Sequence, residues 1–286
     1  MENLTNIGTI RALLNRHGFT FSKSLGQNFL INPSVCPRMA AAAVDAAHIG
    51  VLEIGPGIGV LTNELCKVAE KVVAVELDRR LIPVLGETLG GYDNLTVINA
   101  DILEIDLQQL IAQQFSGMEV AVCANLPYYI TSPVIMRLLE SRLPLRSLTV
   151  MVQREAAMRL CARPGTRDSS AITIAVRYYS EPELLFPVSA GSFLPAPRVD
   201  SAVIRLTLRP PEREPKDERT LFSVVRGAFS QRRKTVLNAL SSSLALDKTV
   251  VRAILEEAGI DPAARAEQLS VADFVGVADA VYDRSS

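Results

Sequence analysis

Between residues 51 and 152, short runs of Val, Ile and Leu alternate with amphipathic stretches, and that rhythm constrains the fold more than any other feature of the chain. Five runs read as strands, at 51–54, 71–76, 95–99, 120–124 and 148–152. Between them, 60–68, 78–89, 106–115 and 132–140 read as helices. The runs are apolar throughout rather than at every second position, the pattern of strands buried on both faces. The spacing therefore predicts an α/β fold, a parallel sheet with helices on both sides. Residues 171–179 and 201–208 alternate instead, and are expected to be antiparallel strands closing one edge.

The flanks read differently. Residues 6–18 form an amphipathic helix with Ile7, Ile10, Leu13 and Leu14 on one face and Gly18 as its stop. A polar, glycine-containing loop over 22–30 and an Ala-rich helix over 34–48 follow. Residues 209–219 carry three prolines among charged residues and read as a linker. Beyond it, 218–229, 231–243, 248–258 and 270–282 are helical in pattern. Two domains are expected: 1–209, the sheet with its N-terminal extension, and 210–286, a small all-helical domain.

Apolar residues make up 48% and charged residues 21%, enough to bury a core and unlike a disordered chain. The net charge of -1 excludes a binder that works through a global excess of cations. Locally the balance shifts: residues 137–177 hold 8 cations, all arginine, against 3 anions. Four cysteines, at 36, 66, 123 and 161, and two histidines, His17 and His48, show no metal-ligand spacing, so no metal is expected. Scattered thiols suit a reducing cytoplasm. No apolar leader and no spanning segment are read, since the uncharged stretch 120–136 is broken by Asn125, Pro127 and Pro133.

The first chemical signal is Glu53-Ile54-Gly55-Pro56-Gly57-Ile58-Gly59, directly after a strand and opening a helix. Glycines there permit left-handed backbone and close approach of a ligand. The dinucleotide fingerprint is not met, because Val60 stands where it needs glycine, and no Gly-Lys-Ser/Thr follows for a phosphate loop. Glu76, at the end of the second strand, is placed to accept both hydroxyls of a ribose. Asp101, ending the third, is placed to accept from an adenine amine; each acid also suits a plain helix cap. Together Gly55, Gly57, Glu76 and Asp101 form a ladder along consecutive strand ends, fitted to a nucleoside ligand that needs no phosphate site: S-adenosylmethionine.

After the fourth strand comes Asn125-Leu126-Pro127-Tyr128. An adenine amine is a weak nucleophile because its lone pair is delocalised into the ring. Acceptors for both amine hydrogens, the Asn125 side-chain carbonyl and the Leu126 backbone carbonyl, would localise that pair. Pro127 stiffens the turn and Tyr128 offers a ring for stacking. Taken alone, the motif is also a plain turn.

With these motifs, the chain resembles the KsgA-type small-subunit (16S) ribosomal RNA adenine N6-dimethyltransferases. The resemblance rests on Gln27-Asn28-Phe29-Leu30, the 53–59 loop, Glu76, Asp101, Asn125–Tyr128, Phe193-Leu194-Pro195-Ala196-Pro197-Arg198-Val199-Asp200-Ser201, and Phe229-Ser230-Gln231-Arg232-Arg233-Lys234-Thr235. It implies a Rossmann-like class I S-adenosylmethionine-dependent methyltransferase domain followed by the helical domain. It further implies that Asn28 and Leu30 line the cofactor's methionine end, Gly55 and Gly57 pass beside it, Glu76 holds its ribose and Asp101 its adenine. Asn125 would serve both cofactor and target amine, with Tyr128 and Phe193 sandwiching the extruded base. The implied partner is 16S rRNA within the small subunit or its precursor, met by a monomeric, cytoplasmic enzyme.

A base must leave its stack to be methylated, and aromatic faces are what hold it. Arg226, Arg232, Arg233 and Lys234, with no acid between them, are candidate RNA-phosphate contacts. Three rivals remain at this level. One is the sister class that methylates large-subunit RNA, another an assembly factor that has kept the fold without the chemistry, and the third a dehydrogenase.

Overall fold

The computed structural model describes residues 4–20 and 27–285, so residues 22–26 of the expected polar loop lie outside the described residues. Its strands are β1 (Phe29–Leu30), β2 (Ile49–Ile54), β3 (Lys71–Glu76), β4 (Leu95–Asn99), β5 (Glu119–Asn125), β6 (Leu145–Gln153), β7 (Ser180–Val188), β8 (Phe193–Leu194) and β9 (Ser201–Leu208). Its helices are α1 (Ile7–Arg16), α2 (Val35–Ala43), α3 (Val60–Val68), α4 (Ile82–Leu89), α5 (Leu107–Gln114), α6 (Thr131–Glu140), α7 (Arg154–Cys161), α8 (Ala171–Tyr179), α9 (Glu218–Phe229), α10 (Val236–Leu244), α11 (Lys248–Glu257) and α12 (Val271–Ser285).

By contact the chain forms two compact units, Met1–Ala157 with Glu183–Leu208, and Met158–Pro182 with Arg209–Ser286. The first holds a seven-stranded sheet in the order β4-β3-β2-β5-β6-β9-β7. Strands β2 to β6 run parallel, and β9 lies antiparallel to β6, with Gln153 opposite Ser201 and Ser147 opposite Thr207. All six residues of β2 are buried, as a central parallel strand requires. From β2 the chain builds outward through β3 and β4 on one side, then returns to add β5 and β6 on the other. The crevice between the carboxyl ends of β2 and β5 is therefore a topological switch point, where open α/β sheets bind ligands.

The helix expected over 34–48 stops at Ala43, and three further sequence expectations change. Residues 171–179 are the helix α8 rather than a strand. The alternation of Ile172, Ile174 and Val176 mimics a strand, but Ser170 and Thr173 close a reciprocal capping box that starts a helix. The helix is buried on most sides, which erases the one-sided pattern that would have marked it. Residues 158–182, assigned from sequence to the first domain, belong instead to the second unit. There Tyr178 and Tyr179 of α8 meet Phe222 of α9, each with ring centroids 5.7 Å apart. Finally, the helix expected over 231–243 begins only at Val236, because the Thr235 hydroxyl caps it by accepting from the Asn238 N–H. Gln231–Lys234 thus form an exposed turn.

Candidate active site

The carboxyl ends of β2, β3 and β5, the ladder β1–β8 and the segment that opens α6 surround one cleft enclosing about 1090 Å³, part of it open to solvent. Every cofactor and catalytic residue expected from the sequence lines it: Asn28, Leu30, Gly55, Gly57, Glu76, Asp101, Asn125, Leu126, Pro127, Tyr128 and Phe193.

The glycine loop leaves β2 with Gly55 at φ +69° and Gly57 at φ +63°, both left-handed. A side chain at 55 would meet nothing within 4 Å, whereas a Cβ at 57 would press on the Phe29 ring at 3.2 Å. The loop is therefore open at its first glycine and packed under β1 at its second. Glu76 ends β3 and is buried. Its Oε2 accepts from the Gly57 N–H at 3.1 Å and its Oε1 from the Asp78 N–H at 2.8 Å. Burial pushes this carboxyl above its usual range, and the two N–H bonds oppose the rise. Each oxygen keeps a further lone pair for a ligand hydroxyl. Asp101 accepts from the Leu103 N–H at 2.8 Å, so it caps its turn while lining the cleft.

The sequence reading missed Glu53, and its place in the glycine motif was the available signal. Glu53 is buried on the cleft wall with no hydrogen-bond partner for Oε2. Burial pushes its carboxyl up to about 8, the neighbouring Glu76 adds to the rise, and the Thr62 hydroxyl works against it without reaching hydrogen-bond geometry. A cation bound beside it would favour the ionised form and pull this pKa back down.

The opposite end of the cleft is built from three separated segments. Asn125 is the last residue of β5, and its Nδ2 donates to the Asn28 carbonyl at 3.4 Å. That bond uses the donor end of the amide and leaves Oδ1 as the acceptor. Leu126 is tied to β6 by its N–H donating to the Met151 carbonyl at 3.2 Å. Tyr128 is held by a 2.7 Å bond between its hydroxyl and the Ser201 hydroxyl at the start of β9. Leu30 and Phe193 stand opposite each other in the β1–β8 ladder. Phe193 is only 3% exposed, so its ring belongs to the core as well as to the cleft. Tyr129, also missed from sequence, lines the cleft and is 56% exposed.

The candidate RNA contacts lie in the second unit. Arg226 is exposed in the last turn of α9, and Arg232, Arg233 and Lys234 occupy the exposed turn before α10. The Arg232 guanidinium donates to the Arg167 carbonyl at 3.4 Å. This joins the turn to the arginine-rich segment, a proximity invisible in a linear charge count. Among the described residues no group of three or more His, Cys, Asp or Glu could hold a metal ion, and no helix is long and apolar enough to cross a membrane.

Comparison with known proteins agrees with this geometry. The family model described as ribosomal RNA adenine dimethylase matches residues 18–283. Proteins called ribosomal RNA small subunit methyltransferase A from Bacillus mycoides (strain KBAB4) and Bacillus cereus (strain AH187) are each 46% identical over 286 residues, covering 98% of both chains. Among solved structures, the 23S rRNA methyltransferase ErmE is 28% identical, with a TM-score of 0.68 over 89% of this chain and all of that one. A dimethyladenosine transferase from Plasmodium falciparum is 28% identical, with a TM-score of 0.69 over 87% and 95%. Matched along nearly its whole length, the chain belongs to the ribosomal RNA adenine dimethylase family.

Proposed function

We propose that the protein transfers methyl groups from S-adenosylmethionine to the exocyclic N6 amines of two adjacent adenosines in the 3′-terminal hairpin of 16S rRNA. It does so as a monomer in the cytoplasm, on the small subunit or its precursor. The observation that carries the reading is the placement of the Asn125–Tyr128 motif across the switch point from the glycine loop, inside one cleft. The relatives at 46% identity take their name from the small subunit.

The cleft fits the cofactor in its chemistry. Gly55 leaves open space, Glu76 offers two acceptor oxygens, and Glu53 holds a buried carboxyl oxygen without a partner. Bound there, S-adenosylmethionine supplies an electrophilic methyl group on a sulfonium. Glu76 holds the ribose, Asp101 the adenine, and Asn28, Leu30 and Glu53 the methionine end with its positive charge. Loss of the dehydrogenase alternative follows from family membership.

On the target side, Asn125 Oδ1 and the Leu126 carbonyl accept the amine hydrogens and pull its lone pair out of the ring. Such preorganised acceptors stabilise charge only as it develops, which is where catalysis gains. Each transfer adds one methyl to the nitrogen and releases one proton from it, so two transfers exhaust its hydrogens. No strong base is needed, because the proton becomes acidic as the new bond forms. Tyr128 and Phe193 hold the extruded base between them. Arg226, Arg232, Arg233 and Lys234 anchor RNA phosphates and set register rather than chemistry.

The reading is tested by nucleoside mass spectrometry of 16S rRNA from cells with and without the gene. Dimethyladenosine should disappear from 16S rRNA on deletion. Unchanged dimethyladenosine there, or its loss from 23S rRNA instead, would move the function elsewhere.

A further inference from the structure

Tyr129 stands at the mouth of the cleft with 56% of its surface exposed. Only Tyr282, in the other unit, is another aromatic residue of comparable exposure among those described. Leaving a large ring in water forgoes the gain from burial unless something covers it. The backbone beneath it is fixed. The Ile130 N–H donates to the Pro127 carbonyl at 3.1 Å, closing a single helical turn over Tyr128–Ile130. On one side Tyr128 is pinned to Ser201, and on the other Thr131 is buried with its hydroxyl donating to the Pro127 carbonyl at 3.4 Å. The ring is thus presented outward by a stiff turn, next in sequence to the residue that faces the target base.

Extruding a base from a strand leaves its neighbour with an uncovered face, an unstacking cost of a few kcal/mol. An aromatic face at the mouth of the cleft replaces part of that lost stacking. We propose that Tyr129 is a second nucleobase subsite, on which the adenosine adjacent to the one in the cleft stacks while its neighbour is methylated. The inference rests on the function proposed above and deepens it. The cleft takes one adenosine of the pair and Tyr129 parks the other within reach of the same site. The ring is a positioning group for RNA with no part in holding the cofactor.

The test is single-turnover methyl transfer to unmethylated small-subunit particles, measured against particle concentration for the parent, Tyr129→Phe, Tyr129→Leu and Tyr129→Ala. Calorimetry of cofactor binding runs alongside. Stacking predicts that the half-saturating particle concentration rises by about 5–150-fold in the Ala and Leu variants, the equivalent of one lost base–aromatic stack. Phenylalanine restores the parent value, and the saturating rate and cofactor affinity hold in all variants. An unchanged half-saturation in Tyr129→Ala would overturn the proposal while leaving the enzyme reading intact. So would Leu performing like Phe, or a fall in cofactor affinity. A parent protein that methylates no small-subunit particle would overturn both.

Discussion

The two ends of the cleft are built on different principles. At the end proposed for the cofactor, Gly57, Glu76 and Asp101 sit at the ends of adjacent parallel strands or in the loops that follow them. Glu76 is clamped by two backbone N–H groups at 3.1 and 2.8 Å. Sheet register places these groups, so their geometry is set by the core. At the target end, residues 27–30, 125–129 and 193–201 come from distant parts of the chain. They meet through a two-residue ladder, a 3.4 Å bond from Asn125 to Asn28 and a 2.7 Å bond from Tyr128 to Ser201. The end proposed for the cofactor is a feature of the fold, and the end proposed for the target base is an assembly. Substitutions at the first should therefore act on cofactor affinity, and those at the second on rate and RNA affinity.

The largest expected effect is at Asn125. Asn125→Ala removes the proposed amine acceptor, and single-turnover transfer at saturating cofactor should fall by about 10²–10³, the loss typical of one preorganised electrostatic partner. Circular dichroism should show an intact fold. For Phe193 the useful change is to leucine, because the residue is 3% exposed and alanine would open a cavity in the core. Phe193→Leu should weaken apparent RNA affinity by about 1–3 kcal/mol, the value of a stacked base, without changing cofactor affinity in calorimetry. Glu76→Gln should do the reverse. It leaves one acceptor oxygen where there were two, weakening cofactor binding by about 1–3 kcal/mol while particle affinity holds. If either variant moved both affinities equally, the division of the cleft into two ends would fail.

Smaller effects sharpen the picture. Reversing the charges of Arg232 and Arg233 should flatten the salt dependence of RNA binding by about 0.7–0.9 in log–log slope per lost phosphate contact. An unaltered slope would make that turn a solvated surface. Glu53 gives a pH signature. Its folded-state pKa of about 8 lies above its ordinary value of 4.5, so the fold favours the protonated acid. The stability this contributes is complete below about pH 4.5 and is lost as the pH rises through 8. Glu53→Gln cannot ionise, so its melting temperature should gain on the parent's between pH 5 and 9, by about 2–4 °C per kcal/mol. A constant difference across that range would show that Glu53 is not held protonated.

The same division explains what could be read from the chain. Val60–Val68, Lys71–Glu76 and Leu95–Asn99 carry their boundaries in sequence, because apolar runs bounded by glycines, polar residues or charges have one consistent reading, even though β4, on the sheet edge, is only half-buried. The ladder of Gly55, Gly57, Glu76 and Asp101 followed from knowing where strands end. The β1–β8 ladder did not, since Phe29 and Leu194 meet across more than half the chain. Strand β7 was missed because Pro182 and Pro187 interrupt it, as is tolerated on a sheet edge. Residues 158–182 leave the first unit and return without a composition change to mark either crossing. The exposure of Tyr129 and the orphaned oxygen of Glu53 are properties of packing, which no local pattern encodes.

The central claim is that this cleft dimethylates adenosines of the small-subunit RNA. Purified protein incubated with methyl-deuterated S-adenosylmethionine and small subunits lacking the modification should yield dimethyladenosine bearing two labelled methyl groups at two sites per particle, read by mass spectrometry of digested 16S rRNA. Purified large subunits should give none, and Asn125→Ala should give little from either. Absence of labelled dimethyladenosine in 16S rRNA, or equal labelling by Asn125→Ala and the parent, would contradict the account.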